Sequence, residues 1–398
     1  MQHSTPRFFH QIVLPVLALL PDLVLKHHSD YGYRKFFAQQ HLLLSLYAHL
    51  AKAESVNDLA EQLADPKQPT AQLVGQLRPL AATSLSRANA HRSYLLWQEL
   101  FALLYPKLSP QFKQLHLGGL SGLNAVRLVD GSLFEALSSM LWASYSSTKN
   151  KLKGHFFLDL NGLPDKLIVS AGSASEREVL LAQIEARVTY VFDRGYNSYL
   201  LFGQFQTKGA YFVTRLLGNA LFHLKQELRL FEPEKGLGLV ADQLIALKDE
   251  TGQVHELRLV TYRTAKGQSY RYLTNRFDLP ALAIVRLYLW RWEIETFFAW
   301  LKRHLVFNHW YSENENGVRI QLFAGLLTFL LLRLYAATKG QSKLRIKEVR
   351  QVRHWLTLPV SSAELLIYEA KLLERFNLSY CFSFAPAPLL LDNFLDSF

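Results

Sequence analysis

The sequence is poor in cysteine, with Cys381 the only one among 398 residues. A single cysteine cannot form an intrachain disulfide, and it cannot supply the several thiolates of a structural zinc site. The 14 histidines show neither a His-Glu-x-x-His motif nor a paired zinc-ligand spacing. These absences exclude a disulfide-stabilised scaffold and are typical of a protein in the reducing cytoplasm.

The sequence also lacks the usual patterns of a signal peptide or a membrane span. Residues 12–25 are apolar, but they contain Pro15 and Pro21 and have no basic leader or small-residue cleavage site. Residues 326–332 are apolar but far too short to cross a bilayer, and Arg333 interrupts the run. We therefore expect a cytoplasmic protein without a membrane partner.

Basic residues are in excess, with 44 lysines and arginines against 33 aspartates and glutamates and a net charge of +11. With 49% hydrophobic residues, the chain is apolar enough and long enough to form two or three folded domains. A positive excess favours a polyanionic partner, either nucleic acid or an acidic membrane surface. Charge alone only tilts this choice, because many basic proteins have neither partner.

Residues 281–316 contain no proline or glycine and follow a helix-start signal at Asp278 and Pro280. Residues 288–302 therefore predict one continuous helix, and residues 308–317 predict a polar loop after it. At about 3.6 residues per turn, four side chains share one face beside an apolar stripe. These are Tyr288, Arg291, Glu295 and Lys302. A solvated charged edge would explain a lone Glu or Arg, whereas a carboxylate between two cations suits a metal ion and DNA phosphates.

Two further carboxylates follow short apolar strands. The predicted strand 125–129 ends at Asp130, and the predicted strand 188–192 ends at Asp193. Parallel strands joined by a helical crossover end at one edge of a sheet, where sites form. A single aspartate at a strand end is usually an Asx turn. Two at matching ends, together with Glu295, are much less common.

The order of elements predicts the start of a ribonuclease-H-like sheet in an α/β fold. Two strands flank Asn161-Gly162, a strong hairpin signal, and Ser175 caps a helix that leads to the strand before Asp193. Residues 210–275 are mostly strand-like. This piece is long for a bare fold of that type, which indicates an insertion before Glu295.

The spacing Tyr-x2-Arg-x3-Glu-x6-Lys resembles the YREK signature of the insertion-sequence-four family of bacterial DDE transposases. The contexts Asp-Gly-Ser at Asp130 and Asp-Arg-Gly-Tyr at Asp193 are similar to that family's first and second catalytic aspartates. The resemblance covers residues 117–332, is loose before residue 115 and is absent over the tail. It implies a ribonuclease-H-like catalytic core of the retroviral integrase superfamily, with a β-rich insertion and a preceding helical domain.

This interpretation divides the chain into five segments. They are a helical N-terminal DNA-binding domain at 1–115, the first part of the core at 116–209, the β-rich insertion at 210–280, the catalytic-helix part of the core at 281–340, and a basic helical region at 341–398. In the first segment, a helix capped by Ser55 precedes a helical run over 83–106 that includes Arg92. The pair could read DNA, but a helical bundle with surface arginines fits the same pattern.

The resemblance implies that Asp130, Asp193 and Glu295 hold two Mg²⁺ or Mn²⁺ ions, with Asp130 bridging both. Two such ions, roughly 3.5–4 Å apart, activate the attacking oxygen and neutralise charge on the phosphorus without a separate general base. Residues expected to contact DNA are Tyr288, Arg291, Lys302, Trp292, Arg194, Lys343, Lys347 and Arg350. Because residues 206–280 contain no tryptophan, an aromatic that stacks a flipped base would be a Phe or Tyr there, or Trp292 or Trp310.

The reaction implied by the family begins with hydrolysis at the element's end. The freed 3′ hydroxyl then makes a hairpin, which is reopened and joined to target DNA. The expected partners are the terminal inverted repeats, the target duplex and a second protein copy in the DNA complex, inside a bacterial nucleoid. Two alternatives are a catalytically silent DNA-binding inhibitor of transposition and another ribonuclease-H-fold nuclease. The inhibitor is expected to lack a carboxylate, and all three are present.

Overall fold

The computed structural model describes residues 7–76, 78–112, 123, 125–230, 236–307, 309–341 and 343–376. The chain forms two compact units, one of Met1–Gln114 with Leu301–Phe398 and one of Leu115–Trp300. Cys381 lies outside the described residues. The five predicted segments stay a prediction about domain bounds.

The first unit is helical. Its helices begin with α1 (Phe8–Leu17), α2 (Leu20–Lys26), α3 (Ala38–Ala51), α4 (Val56–Gln62), α5 (Pro69–Leu73), α6 (Ala82–His91) and α7 (Leu95–Phe112). Ser55 accepts a hydrogen bond from the backbone N–H of Asp58 at 3.0 Å, which confirms the predicted cap of α4. After the other unit follow α12 (Glu315–Thr338), α13 (Ile346–Trp355) and α14 (Ser362–Phe376).

Helix α12 is the core helix of this unit and packs against α1, α3, α6 and α7. It is long and apolar enough to cross a membrane, but 94% of its most apolar window is buried within the structure. The other candidate in the described part of the chain is α1 with α2, which are bent by 51° and pass the same test only together. Burial on all sides explains why α12 is apolar around its whole circumference.

The prediction of one helix over 83–106 is wrong, because α6 ends at His91 and α7 begins at Leu95. The side-chain amide of Asn316 donates to the carbonyls of Asn89 and Arg92 at 2.8 Å each, and its oxygen accepts from the Tyr94 N–H at 3.1 Å. Arg92 is buried and donates to the carbonyls of Ser29 and Phe36. It therefore serves packing and not a basic surface.

The second unit contains a nine-stranded sheet in the order β3-β2-β1-β4-β5-β9-β8-β7-β6. The strands are β1 (Val126–Glu135), β2 (Lys151–Leu158), β3 (Pro164–Ala171), β4 (Thr189–Phe192), β5 (Tyr211–Arg215), β6 (His223–Glu227), β7 (Leu239–Lys248), β8 (Val254–Arg263) and β9 (Ser269–Thr274). Helix α8 (Glu176–Ala182) precedes β4, and α9 (Tyr199–Thr207) joins β4 to β5. The antiparallel β1–β3 followed by β4 and β5, both parallel to β1, form a ribonuclease-H-like core.

The segment predicted as a β-rich insertion extends the core sheet. Strand β5 pairs parallel with β4 and belongs to the core, whereas β9, β8, β7 and β6 continue the same sheet in antiparallel pairs. All five residues of β6 are exposed, so it has no apolar alternation that the sequence could reveal. Strands β5 and β9 lie within residues 210–275, which were predicted to be mostly strand-like.

The helix predicted to run without interruption through residues 288–302 is broken at Arg291. The structure has α10 (Ala281–Trp290) and α11 (Trp292–His304) in its place. At the junction the N–H of Arg291 bonds to the Tyr288 carbonyl, and the N–H of Ile294 bonds to the Arg291 carbonyl, each at 3.0 Å. These three-residue spacings are tighter than an α-helical turn, and they rotate Tyr288 relative to Glu295.

Candidate active site beside the parallel strands

Asp130 and Asp193 follow adjacent residues of two parallel strands. Val129 of β1 is in register with Phe192 of β4, and the parallel pairing ends there. The prediction that β1 itself ends at Asp130 is wrong, because β1 continues to Glu135 along its other neighbour, β2. The two aspartates therefore emerge side by side where the β1–β4 ladder opens, which is where a parallel sheet forms sites.

Arg291 links Glu295 to Asp130. Its guanidinium donates to Oε1 of Glu295 at 2.6 Å and lies 3.6 Å from Oδ2 of Asp130. The Arg291 side chain is only 12% exposed, and its buried Nε has no hydrogen-bond partner among the described residues. The turn between α10 and α11 thus directs one cation at two carboxylates from distant parts of the chain.

Tyr288 connects the second aspartate to the same group. Its hydroxyl donates to Oδ1 of Asp193 at 3.3 Å, and its ring lies 5.8 Å from the Arg291 guanidinium carbon. The other face of this region is fixed by Tyr272 of β9, whose ring centroid is 5.0 Å from that of Tyr288. Four predicted residues from three separate segments therefore surround Arg291.

Negative charge is concentrated around Asp130. Burial, together with the nearby carboxylates of Glu176 and Asp193, raises the pKa of Asp130 to about 6. The backbone N–H of Gly131, 2.8 Å from Oδ1, and the Arg291 guanidinium act in the opposite direction. The ionised form of Asp130 is thus held against repulsion, a setting in which an added cation would be stabilising.

Glu176 and Tyr196 also belong to this site, and the sequence analysis missed both. A Cβ atom on Gly131 would meet Oε1 of Glu176 at 2.8 Å, so the glycine makes room for that carboxylate. Glu176 pairs with Lys153 at 3.2 Å. The buried Tyr196 hydroxyl has no partner among the described residues, and burial with the Glu176, Asp130 and Asp193 charges raises its pKa. In the sequence, Glu176 is recognisable only as an acidic residue in the first turn of α8.

The donor set is suited to a hard divalent cation, since carboxylate oxygens are the ligands that Mg²⁺ and Mn²⁺ prefer. Asp130 and Glu295 keep side-chain exposures of 23% and 35%, so their oxygens are reachable. Nevertheless, no three Asp, Glu, His or Cys side chains in the described part of the chain converge tightly enough to hold an ion. Arg291 contacts two of the three carboxylates instead.

The other predicted contact residues have varied settings. Trp292 is 65% exposed at the start of α11, and Arg194 is exposed in the short turn after Asp193. Lys302 is exposed near the end of α11 and belongs to the helical unit. Partial burial of its ammonium group lowers its pKa. Lys347 and Arg350 are exposed on α13. Lys343 falls in the region 341–398 that was predicted to be helical, but it lies outside the helix, because α13 begins at Ile346.

Comparison with known families shows which family this chain belongs to. Residues 122–331, more than half of the chain, match the family described as the transposase DDE domain. The chain belongs to the transposase DDE domain family. This match includes Asp130, Asp193 and Glu295. Residues 8–68 match a second family, described as a domain of unknown function.

Two curated relatives have the same assignment. The chain is 31% identical over 275 residues to a putative transposase of Sinorhizobium fredii, a match that covers 68% of this chain and 74% of the relative. It is 26% identical over 279 residues to a probable transposase of insertion sequence element IS5377 of Geobacillus stearothermophilus, covering 69% and 73%. Together these findings identify a DDE transposase of the bacterial insertion-sequence type.

A solved structure is also similar, the piggyBac transposase synaptic complex with hairpin DNA. It matches 97% of this chain and 84% of its own, with 12% identity and a TM-score of 0.43. The family match by itself supports DNA as the partner of this transposase, and DDE transposase domains generally use divalent metal ions.

Proposed function

We propose that this transposase cuts and joins the ends of an insertion sequence, with Asp130, Asp193 and Glu295 as its catalytic carboxylates. The observation that supports this most strongly is the site itself. The two aspartates emerge side by side from β1 and β4, and Arg291 holds Glu295 beside Asp130. Three carboxylates on separate segments would otherwise repel one another, and such clusters are typical of functional sites.

The proposed chemistry is metal-dependent phosphodiester hydrolysis followed by transesterification through a hairpin. Two Mg²⁺ or Mn²⁺ ions held by these carboxylates would activate the attacking oxygen and stabilise charge on the phosphorus. Asp130 would hold both ions, and Asp193 and Glu295 would hold one each. Tyr288 orients Asp193 through its 3.3 Å hydrogen bond.

Arg291 would exchange its two carboxylate partners, Asp130 and Glu295, for a DNA phosphate. It must release Asp130 and Glu295 before their oxygens can serve a cation, and a DNA phosphate offers the guanidinium an equivalent bidentate partner. Binding of DNA would therefore prepare the carboxylates. The remaining phosphate contacts are proposed to come from Lys302, Arg194, Lys343, Lys347 and Arg350, with Trp292 available for stacking on a base.

The direct test is a cleavage assay on a DNA fragment carrying the element's native ends, with and without Mg²⁺. We expect Mg²⁺-dependent nicks at the ends and hairpin products on a denaturing gel. Cleavage without added divalent ions would contradict the metal mechanism. Binding without any cleavage would favour the silent DNA-binding inhibitor, and cleavage of branched DNA in preference to the ends would favour a resolvase-like nuclease.

We also propose that the active species is a dimer that pairs two terminal inverted repeats before joining them to target DNA in the bacterial nucleoid. Exposed basic residues occur on α13 and on several strands, which is more positive surface than one duplex end requires. Analytical ultracentrifugation with end DNA should give a complex of two chains and two ends. A cleavage-competent complex of one chain and one end would exclude the dimer.

A further inference from the structure

Five basic side chains from three elements of the helical unit lie close together. We call them the cationic cluster. They are Lys52, which follows α3; Arg303 and His304, at the end of α11; and Arg350 and Arg353, on α13. All five belong to one compact unit.

Hydrogen bonds to backbone carbonyls fix part of this cluster. The Lys52 ammonium donates to the carbonyl of Arg303 at 2.8 Å. Arg353 donates through Nε to the carbonyl of Leu50 at 2.9 Å and through Nη2 to the carbonyl of His304. These carbonyls lie at the carboxyl ends of α3 and α11, where cations are favourable. The bonds explain why Lys52 and Arg353 are there, but they leave Arg303 and Arg350 unexplained.

Within the described part of the chain, four cations of the cluster, Lys52, Arg303, Arg350 and Arg353, lack the ion pairs that other arginines have. Among the described residues, no carboxylate lies within 4.0 Å of the charged nitrogens of Lys52, Arg303, Arg350 or Arg353. Elsewhere in the chain, buried and half-buried arginines have such partners, as the pairs Arg127–Asp165, Arg258–Asp242 and Arg276–Asp278 show.

The like charges affect one another. Burial lowers the pKa of Lys52, Arg353 and His304. The surrounding cations lower the pKa of Lys52 and of His304 further. Arg353 acts on Lys52, while Lys52, Arg303, Arg350 and Arg353 act on His304. Uncompensated repulsion of this kind destabilises the free protein. The presence of these like charges is therefore not explained by their contribution to folding.

We propose that the cationic cluster binds the phosphodiester backbone of duplex DNA. This inference rests on the proposed function and extends it to a surface outside the carboxylate site. Arg350 also lines an open groove along α13 with Lys347 and His354, so the positive surface continues beyond the cluster. Contacts to several successive phosphates would position the duplex without reading its sequence. Lys52 lies within the domain of unknown function, which thereby gains a role in DNA binding.

The test compares Arg303→Gln, Arg350→Gln and the double variant with the wild-type protein. Both side chains are exposed, so their replacement should leave the fold intact. The matched control is Arg319→Gln, which removes the same charge from the same unit but breaks an ion pair with Glu315. Binding to a duplex carrying the element's end is measured across salt concentrations, and the melting temperature is measured without DNA.

In a plot of the logarithm of the DNA-binding constant against the logarithm of salt concentration, we expect the magnitude of the slope to fall by about one for each single variant and about two for the double variant. The melting temperature of the variants should rise, because repulsion between the cations is relieved. The control Arg319→Gln should leave the slope unchanged and should not raise the melting temperature. Unchanged slopes in variants of a wild type that binds and cleaves would overturn the cluster and the phosphate contact proposed for Arg350, but not the proposed cleavage of the element's ends. A wild type that neither binds nor cleaves the end duplex would overturn the proposed function as well.

Discussion

Replacing Asp193 with asparagine should abolish DNA cleavage and leave binding to the element's ends intact. The substitution keeps the shape of the side chain and an oxygen for the Tyr288 hydroxyl, which now lies 3.3 Å from Oδ1. It removes the charge that a metal ligand needs. We expect a loss of at least about a thousandfold in rate, or roughly 4 kcal/mol of transition-state stabilisation.

Cleavage and gel-shift assays on the same DNA fragment measure both halves of this prediction. Glu256→Gln is the matched control, because it removes one exposed carboxylate from β8 of the same unit. The control should cleave like the wild-type protein. Retained cleavage in Asp193→Asn would exclude the residue as a ligand, and a parallel loss of binding with an intact fold would assign it to DNA binding instead.

Asp242→Ala should cause a large loss of stability outside the site. The carboxylate accepts two hydrogen bonds from Arg258, at 2.8 and 2.6 Å, and the two side chains are 5% and 6% exposed. Removing the acid leaves a buried guanidinium unpaired, which typically costs about 3–5 kcal/mol.

The same ion pair supports the site. Arg258 also donates to the carbonyls of Arg276 and Leu279, at 3.1 and 2.6 Å, just before α10 begins. Loss of Asp242 should therefore disturb the segment that carries Tyr288. Urea denaturation gives the free energy of unfolding, and the exposed pair Glu135–Lys151 provides the control, since Glu135→Gln should hardly change stability. An Asp242→Ala protein as stable as the wild type would contradict the role assigned to this pair.

The local elements around the aspartates were predictable because their signals are local. Apolar strands before Asp130 and Asp193, the glycine turn at Gly162 and the Ser175 cap each depend on a few neighbouring residues. The adjacency of the two aspartates also followed, because a right-handed parallel crossover leaves little choice of edge.

The missed features depend on long-range contacts. Nothing in residues 281–316 marks the break at Arg291, where the guanidinium bonds Glu295 and approaches an aspartate from β1. Likewise, the interruption after α6 depends on Asn316, which is distant in sequence. Glu176 shows the same limit, since its position beside Gly131 follows only from the packing of α8. Helical periodicity in the sequence contains no information about contacts with residues from distant segments.

The most direct test of the central claim is to locate bound metal. Crystals of the protein with end DNA, soaked in Mn²⁺, allow the ions to be placed by anomalous scattering. The account predicts Mn²⁺ ligated by oxygens of Asp130, Asp193 and Glu295, with the Arg291 guanidinium moved from Glu295 to a DNA phosphate. Mn²⁺ bound only at other residues, or an Arg291–Glu295 pair that persists in a cleaving complex, would contradict it.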